Sequence, residues 1–385
     1  MGSAAASDFK GSLAVETWQF PEDGAFEGQA DATYSVAGEV EYRADLGDDL
    51  RLVVHPFVRW DEADSRRTHA DLRKLVLLWV SEDLDLRFGV DRVFWGVTES
   101  RHLVDIINQT DLIEDPDEED KLGQPMLRLT ASRDWGTLDA FVLPYFRERT
   151  FPGRHGRFRP AVPVDTDRAR YESDLAEWHP DAALRYSNQI GELDFGLAWF
   201  HGTSRDPDLL TRTVRGRPDL IPVYPQIDQV SLDAQVTTGP WLLKLEALGR
   251  AGQANAAGDV ETYGAAVGGF EYTVFDALGT GADVGLLGEL LYDSRGSEAT
   301  NVYERDIFGG VRLVLNDPGT TDILLGAIQD LSAASTQVLL ETHTRIAENW
   351  TMSLEARAFA AKDERDLLFI VRRDDFVRLT ASYNF

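Results

Sequence analysis

The sequence predicts an all-β fold, a transmembrane antiparallel β-barrel of about 18 strands with short periplasmic turns and long extracellular loops. Three observations predict it. Apolar residues recur with period two over long stretches, the connections between those stretches are short and long by turns, and aromatic residues gather near their ends.

Period two places alternate side chains on opposite faces, as on a strand. Tyr34, Val36, Gly38, Val40, Tyr42 and Ala44 share one face, and Ser35, Glu39, Glu41, Arg43 and Asp45 the other, broken only at Ala37. Ala282, Val284, Leu286, Gly288, Leu290 and Tyr292 oppose Asp283, Glu289 and Asp293. Trp350, Met352, Leu354 and Ala356 oppose Thr351, Ser353, Glu355 and Arg357. The chain ends the same way, with Val377, Leu379, Ala381, Tyr383 and Phe385 against Arg378, Thr380, Ser382 and Asn384. A helix would scatter these charges around its axis. Strands are expected near 11–19, 33–46, 49–60, 69–80, 83–94, 125–134, 136–147, 180–189, 192–202, 228–238, 240–251, 261–274, 281–294, 303–316, 320–331, 335–346, 349–361 and 373–385. The count falls to about 16 if 69–94 or 125–147 forms a hairpin outside the wall.

Connections after even-numbered strands are mostly tight and rich in turn formers, for example Leu46-Gly47-Asp48-Asp49, Asp134-Trp135-Gly136 and Asn316-Asp317-Pro318-Gly319. Those after odd-numbered strands run long, at 20–32, 95–124, 148–179, 203–227 and 362–372. A soluble sandwich has no reason to sort its loops this way, whereas an outer-membrane barrel does. Trp60, Tyr263 and Trp199 fall near the long-loop ends, and Trp241, Tyr272, Trp350, Tyr383 and Phe385 near the short-turn ends, as two interfacial girdles would. The whole chain, 1–385, is expected to form one barrel domain, with 1–10 as a tail and with loops 95–124 and 148–179 able to fold into the lumen. Its opening, Met1-Gly2-Ser3 and then Ala4-Ala5-Ala6, looks like an expression start or the stub left by signal removal.

Composition narrows the function. With 38 basic and 66 acidic residues the 385-residue chain carries a net charge of −28, which argues against a nucleic-acid partner. It has no Cys, hence no disulfide, thiolate metal site or Cys nucleophile. No apolar run approaches the ~20 residues of a membrane-crossing helix. No Gly-rich phosphate loop, HExxH run or zinc spacing is present.

Two long loops differ in sign. Residues 105–120 hold Asp105, Asp111, Glu114, Asp115, Asp117, Glu118, Glu119 and Asp120, while 147–170 hold Arg147, Arg149, Arg154, Arg157, Arg159, Arg168 and Arg170. The expectation is that they pair across the mouth or fold inward into a constriction that selects by charge and size; the alternative is two solvated outer loops. Asp115, Asp117, Glu118, Glu119 and Asp120 form a weak candidate for Ca²⁺, since hard cations take carboxylate oxygens, but the spacing fits no EF-hand. On the wet face of the wall, Arg43, Arg59, Lys244, Glu246, Glu289, Arg312, Glu341, Arg345, Glu355 and Arg357 are expected to line a pore, linking strands and setting a transverse field. Glu289 and Glu355 could mimic a glycosidase pair, and His343 lies near Glu341 and Arg345, but no Ser is specified for a triad, so no enzyme is expected.

Arg87-Phe88-Gly89-Val90-Asp91-Arg92-Val93-Phe94-Trp95-Gly96 and the run His102 to Leu112 resemble the strand-then-loop signature of porin-like outer-membrane proteins related to the alginate-export barrels. In that family Arg-Gln stands where Val90-Asp91 is found and Pro where Gln109 is found. The likeness covers about 30 residues and implies an outer-membrane channel or exporter; Phe385 resembles the terminal aromatic read by the barrel-assembly machinery. The expected protein is a monomeric or trimeric channel of the bacterial outer membrane. It meets lipid and lipopolysaccharide, passes small polar or charged solutes or an exported polymer passively, and needs no cofactor. Two rivals remain: a loop-plugged barrel serving an outer-membrane or periplasmic protein partner, and a soluble all-β carbohydrate-binding or carbohydrate-active protein.

Overall fold

The structure, a computed structural model, describes residues 7–214 and 217–385. Its strands are Ser7–Gln19 (β1), Ala32–Asp45 (β2), Leu50–Asp61 (β3), His69–Val80 (β4), Leu84–Asp91 (β5), Gln124–Arg133 (β6), Gly136–Leu143 (β7), Arg170–Tyr171 (β8), Asp181–Ile190 (β9), Leu193–Thr203 (β10) and Asp208–Val214 (β11). They continue with Arg217–Tyr224 (β12), Gln226–Thr238 (β13), Trp241–Ala254 (β14), Val260–Val274 (β15), Asp283–Asp293 (β16), Arg305–Val314 (β17), Asp322–Asp330 (β18), Thr336–Ala347 (β19), Trp350–Ala360 (β20) and Phe376–Asn384 (β21). Eighteen of them form one sheet, and β8, β11 and β12 form a separate three-stranded sheet within the long loops. No α-helix occurs among the described residues.

Each wall strand pairs antiparallel with the next, and β21 returns to β1 from Ser12↔Asn384 to Gln19↔Val377. The sheet closes. Closure satisfies every edge, which a bilayer requires because lipid offers no hydrogen bonds. Hairpins β4–β5 and β6–β7 both lie in the wall, so the count is 18 and not 16. The expected tail is shorter than 1–10: Ser7–Lys10 extend β1 because they pair with Glu41–Ala44 of β2, and residues 1–6 lie outside the described residues.

The outer face is apolar. Val36, Leu286, Leu290, Val377 and Leu379 all point outward and are exposed, as are Trp60, Trp199, Trp241 and Trp350. Water would not tolerate a continuous belt of this kind. One expected girdle residue departs: Tyr263 turns inward, 7% exposed, beneath the Arg295 guanidinium. The inner face is not uniformly polar either. Leu248, Val267, Leu287, Leu291, Phe308, Leu324, Ile328 and Leu339 form a luminal cluster with Leu103, and Met126, Phe141, Leu143, Ala183, Ala198, Phe200 and Ile227 form a second one. A segment folded into the barrel explains the second.

Candidate constriction site

After β5 the chain leaves the wall and crosses the lumen before re-entering as β6. Two glycines make the exit possible. Gly89 has φ +131° and packs so closely on Leu75 that a Cβ would sit 2.0 Å from its carbonyl oxygen, and Gly96 has φ +151° beside Glu246 and His102. Asn108 staples exit to return: its Oδ1 accepts from the Val93 N–H at 2.9 Å, while its Nδ2 donates to the carbonyls of Asp91 at 2.9 Å and Leu122 at 2.8 Å. Trp95, Val104, Ile106 and Ile107 then cover the second apolar cluster of the wall. Burying each of these side chains contributes ~1.5–3 kcal/mol, so the crossing segment is packed in place.

Polar contacts fasten its far end. Glu246, fully buried, accepts from the N–H groups of Val97 at 2.6 Å, Thr98 at 3.0 Å and Val104 at 3.1 Å, and from the Thr98 hydroxyl at 2.7 Å. Glu289 accepts from the Glu99 and Ser100 N–H groups, both at 2.8 Å, and from the Ser100 hydroxyl at 2.5 Å. Glu99 itself pairs with Arg312 at 2.5 Å and Lys244 at 3.6 Å. Glu246 and Glu289, expected to line the pore, act here as anchors for the segment. The reason is that backbone N–H groups removed from water need acceptors, and a carboxylate supplies several.

The acidic part, 110–122, forms a lobe whose base is closed by the Leu122 N–H donating to the Gln109 carbonyl at 2.9 Å. It meets a row of wall guanidinium groups. Arg59 donates to Glu114 at 2.7 Å, Arg378 pairs with Asp115 at 2.5 Å and Arg357 with Asp117 at 3.0 Å, while Arg73 stands 4.0 Å from Asp120. His69 bonds Glu114 at 2.7 Å. Arg59 and Arg67 are bridged by Glu16 at 3.1 and 2.6 Å, and Glu355 ties Arg357 to Arg378, with Glu341 on Arg357 at 3.0 Å. Within the segment His102 faces Glu119 at 3.4 Å and Lys121 faces Asp105 at 3.6 Å.

The Arg-rich loop behaves differently from expectation. Only Arg149 reaches the acidic lobe, at 3.4 Å from Glu118, and it also holds Asp206 at 2.7 Å. Arg147 binds Asp71 at 2.7 Å, Arg154 reaches Glu27 at 3.4 Å, Arg157 binds Asp374 at 3.3 Å, and Arg159 donates to the carbonyls of Arg154, Pro160 and Glu27. These arginines knit the mouth loops together, because each finds a nearer partner there. The lobe's partners are instead wall arginines far away in sequence. Glu16, Arg67, Arg73, Arg378 and Asp206 were not among the expected site residues; the one signal for Glu16 and Arg378 is their place on the wet face of period-two strands. Arg43, paired with Glu41 at 2.5 Å, and Arg345 lie toward the short-turn end and are exposed.

Asp115, Asp117 and Glu355 do converge, with ligand-capable oxygens within 4.8 Å of one another. Arg357 and Arg378 already pair with these three carboxylates. Glu118, Glu119 and Asp120 stand apart from that group, each with its own cationic neighbour.

Burial pushes Asp111 up to about 6, against the Thr150 hydroxyl that donates to it. Burial also raises Glu114, but the His69 hydrogen bond and the Arg59 charge outweigh it and hold that carboxyl well below its usual range. For His102 burial disfavours the cation, yet Glu119 more than compensates and its pKa rises. The signs agree. Ionising Asp111 costs docking energy as pH climbs from its ordinary value of 3.8 to about 6, and the His102 contribution, full below 6.5, is lost as pH rises through its folded value. Glu114 stays ionised throughout. The lobe should therefore exchange its amide hydrogens more slowly at pH 5.5 than at pH 8, after correction for intrinsic rates; equal or inverted protection would contradict this assignment.

A closed barrel with an oily exterior and a chain segment folded across its lumen decides the architecture. The fold is that of outer-membrane β-barrels. Among solved structures, the loop L8 deletion mutant of OmpT, an outer-membrane protein of Vibrio cholerae, matches over 100% of both chains at 15% identity with a TM-score of 0.50. Wzi, described as an outer-membrane protein involved in group 1 capsule assembly in Escherichia coli and a carbohydrate-binding β-barrel, matches over 98% of this chain and 84% of its own at 11% identity, TM-score 0.55. OccK5 (OpdH) of Pseudomonas aeruginosa matches over 98% of both chains at 12% identity, TM-score 0.53. No protein-family model and no curated protein matches the sequence.

Proposed function

We propose that this chain is a bacterial outer-membrane channel, narrowed by residues 92–123, through which small polar or charged solutes or an exported polymer pass by passive diffusion. One observation carries the reading: an acidic lobe is held in the lumen against a row of wall arginines, which sets oppositely charged surfaces side by side where a solute must pass. Arg43, Lys244, Arg312, Glu341 and Arg345 extend that charged lining, with Arg59, Glu355 and Arg357 as the lobe's seat. The polymer form draws support from the likeness of Arg87 to Leu112 to the alginate-export barrels, whose shared Trp95-Gly96, Asp105 and Asn108 shape the exit from β5 here: Asp105 accepts from the Trp95 N–H at 3.3 Å. The proposed setting adds contact with lipid and lipopolysaccharide on the outer face, and recognition of Phe385 by the barrel-assembly machinery; Phe385 pairs with Gly11 through N–H to carbonyl bonds of 2.9 and 3.0 Å.

No catalytic role is proposed. Glu289 is engaged by the crossing segment and Glu355 by two arginines. His343 faces Asp322 and Ser353 across neighbouring strands, but no hydrogen bond joins them among the described residues.

A second reading, a barrel plugged by its loops that serves a protein partner, is favoured by the apolar packing of Trp95, Val104, Ile106 and Ile107. Excision of 110–122 separates the two. The Gln109 carbonyl already bonds the Leu122 N–H, so Gln109 and Gly123 can be joined without pulling β5 from β6. The excised stretch holds seven carboxylates and one Lys, a net charge of −6. A channel should conduct before excision and conduct more afterwards, with its preference moved toward anions as Arg59, Arg67, Arg357 and Arg378 lose their partners. A protein that admits no sugars in liposome swelling until 110–122 are removed is the plugged barrel.

A further inference from the structure

Outside the lumen one pocket has no part in the constriction. It lies in the long-loop sheet, where β12 pairs antiparallel with β11 and parallel with β8. Arg168, Ala169, Arg170, Arg212, Asp219 and Ile221 line a cavity of about 230 Å³. That is room for several water volumes, each ~30 Å³. Ile221, 1% exposed, gives it a rigid apolar floor. The Asp165 N–H donates to the Leu220 carbonyl at 2.8 Å and holds the turn carrying Arg168, Thr166–Arg168, against β12.

The charges around this floor do not balance. Arg168 is held by Asp219 at 3.0 Å and Asp165 at 3.3 Å, so its guanidinium is oriented. Arg170 and Arg212 are exposed, and among the described residues neither has an ion-pair partner. Asp219 is the one carboxylate on the pocket wall and Arg168 occupies it. A chain of net charge −28 repels anions at long range, so two neighbouring arginines without carboxylate partners are a local excess of positive charge. Elsewhere at the mouth, Arg147, Arg149, Arg157 and Arg159 all have partners within the protein.

We propose that this pocket binds a phosphate monoester carried on a sugar, with Arg170 and Arg212 as the phosphate-gripping pair and Arg168 as a fixed third donor. Guanidinium forks match two phosphate oxygens at once, which a lysine cannot do. Ala169 and the alkyl stems of the arginines offer apolar surface to the ring face of the attached sugar. Two sources supply this chemistry on the long-loop side of an outer-membrane barrel: the phosphorylated sugars of lipopolysaccharide in the surrounding leaflet, and a soluble sugar phosphate. The inference goes beyond the channel reading and does not depend on conduction.

The test uses the full-length protein in a zwitterionic detergent and three probes: diphosphorylated lipid A, the same lipid with its phosphates removed, and glucose 1-phosphate. Arg170→Gln with Arg212→Gln should weaken the phosphorylated probe that binds by about tenfold or more, consistent with loss of two charge-assisted contacts. Binding of the dephosphorylated lipid should be weak and unchanged. Arg170→Lys with Arg212→Lys, which keeps charge and loses the fork, should fall in between. Heat-modifiable gel mobility confirms that each variant is folded. Binding of lipid A alone identifies the leaflet as the source, and binding of glucose 1-phosphate identifies a soluble one. Absence of binding to both phosphorylated probes, equal affinity for lipid A with and without phosphate, or an undiminished affinity in the Gln variant overturns the proposal.

Discussion

Glu246→Ala combined with Glu289→Ala should raise single-channel conductance severalfold in planar bilayers. The two carboxylates accept seven hydrogen bonds from residues 97–104, five of them from backbone N–H groups. Hydrogen bonds to a charged group are worth ~1.5–3 kcal/mol each, but they do not add. Leaving a buried N–H without its acceptor costs ~1–3 kcal/mol. That cost falls on the seating of the segment and not on the barrel, because the ladders from β14 to β17 run through backbone atoms that the substitutions leave alone. With its far end loose, the segment pivots on the Asn108 staple and the Trp95 side, and the opening widens beneath Arg312 and Lys244. Conductance and current noise identical to the native protein would show that the anchors do not restrict the pore.

Leu290→Arg should destabilise the protein in lipid by ~2–4 kcal/mol, the cost of a cation near the bilayer midplane. Leu290 is 61% exposed on the outer face of β16, with Leu286 on the same side, and pairs with Gly268 near the centre of β15, away from the girdle residue Tyr272. The control is His343→Arg in β19, exposed on the lumen side, where water already solvates charge and the change should stay within ~0.5 kcal/mol. Urea titration of folding into phospholipid vesicles measures both. Equal costs at the two positions would mean that the oily face does not meet hydrocarbon.

How far these features were legible depended on their range along the chain. The strand positions were read from alternation, and β2, β16, β20 and β21 lie where the pattern puts them, within a few residues. Alternation overstated the polarity of the lumen: Leu287 and Leu291 sit on the wet face of β16, yet they are buried in a luminal cluster with Leu103. Opposite loop charge at 105–120 and 147–170 was visible, and it suggested that the two loops pair with each other. Arg149 with Glu118 is the one contact of that kind between Arg-rich loop and lobe, because Arg147, Arg157 and Arg159 have nearer oxygens at the mouth.

Side-chain alternation is a local property, and a chain written with period two must show one oily and one wet face wherever it pairs. The choice of 18 strands over 16 waited for hairpins β4–β5 and β6–β7 to be seen in the wall, but strand positions and the two faces of most strands followed from the order of residues. Which arginine receives which carboxylate did not, since Asp117 meets Arg357 and Asp115 meets Arg378 only after β21 has closed onto β1 and brought residues more than two hundred positions apart to one side of the lumen. The route of 92–123 was hidden for the same reason: its anchors Glu246 and Glu289 belong to wall strands that become neighbours of the loop through closure, and no pattern within the loop itself encodes them.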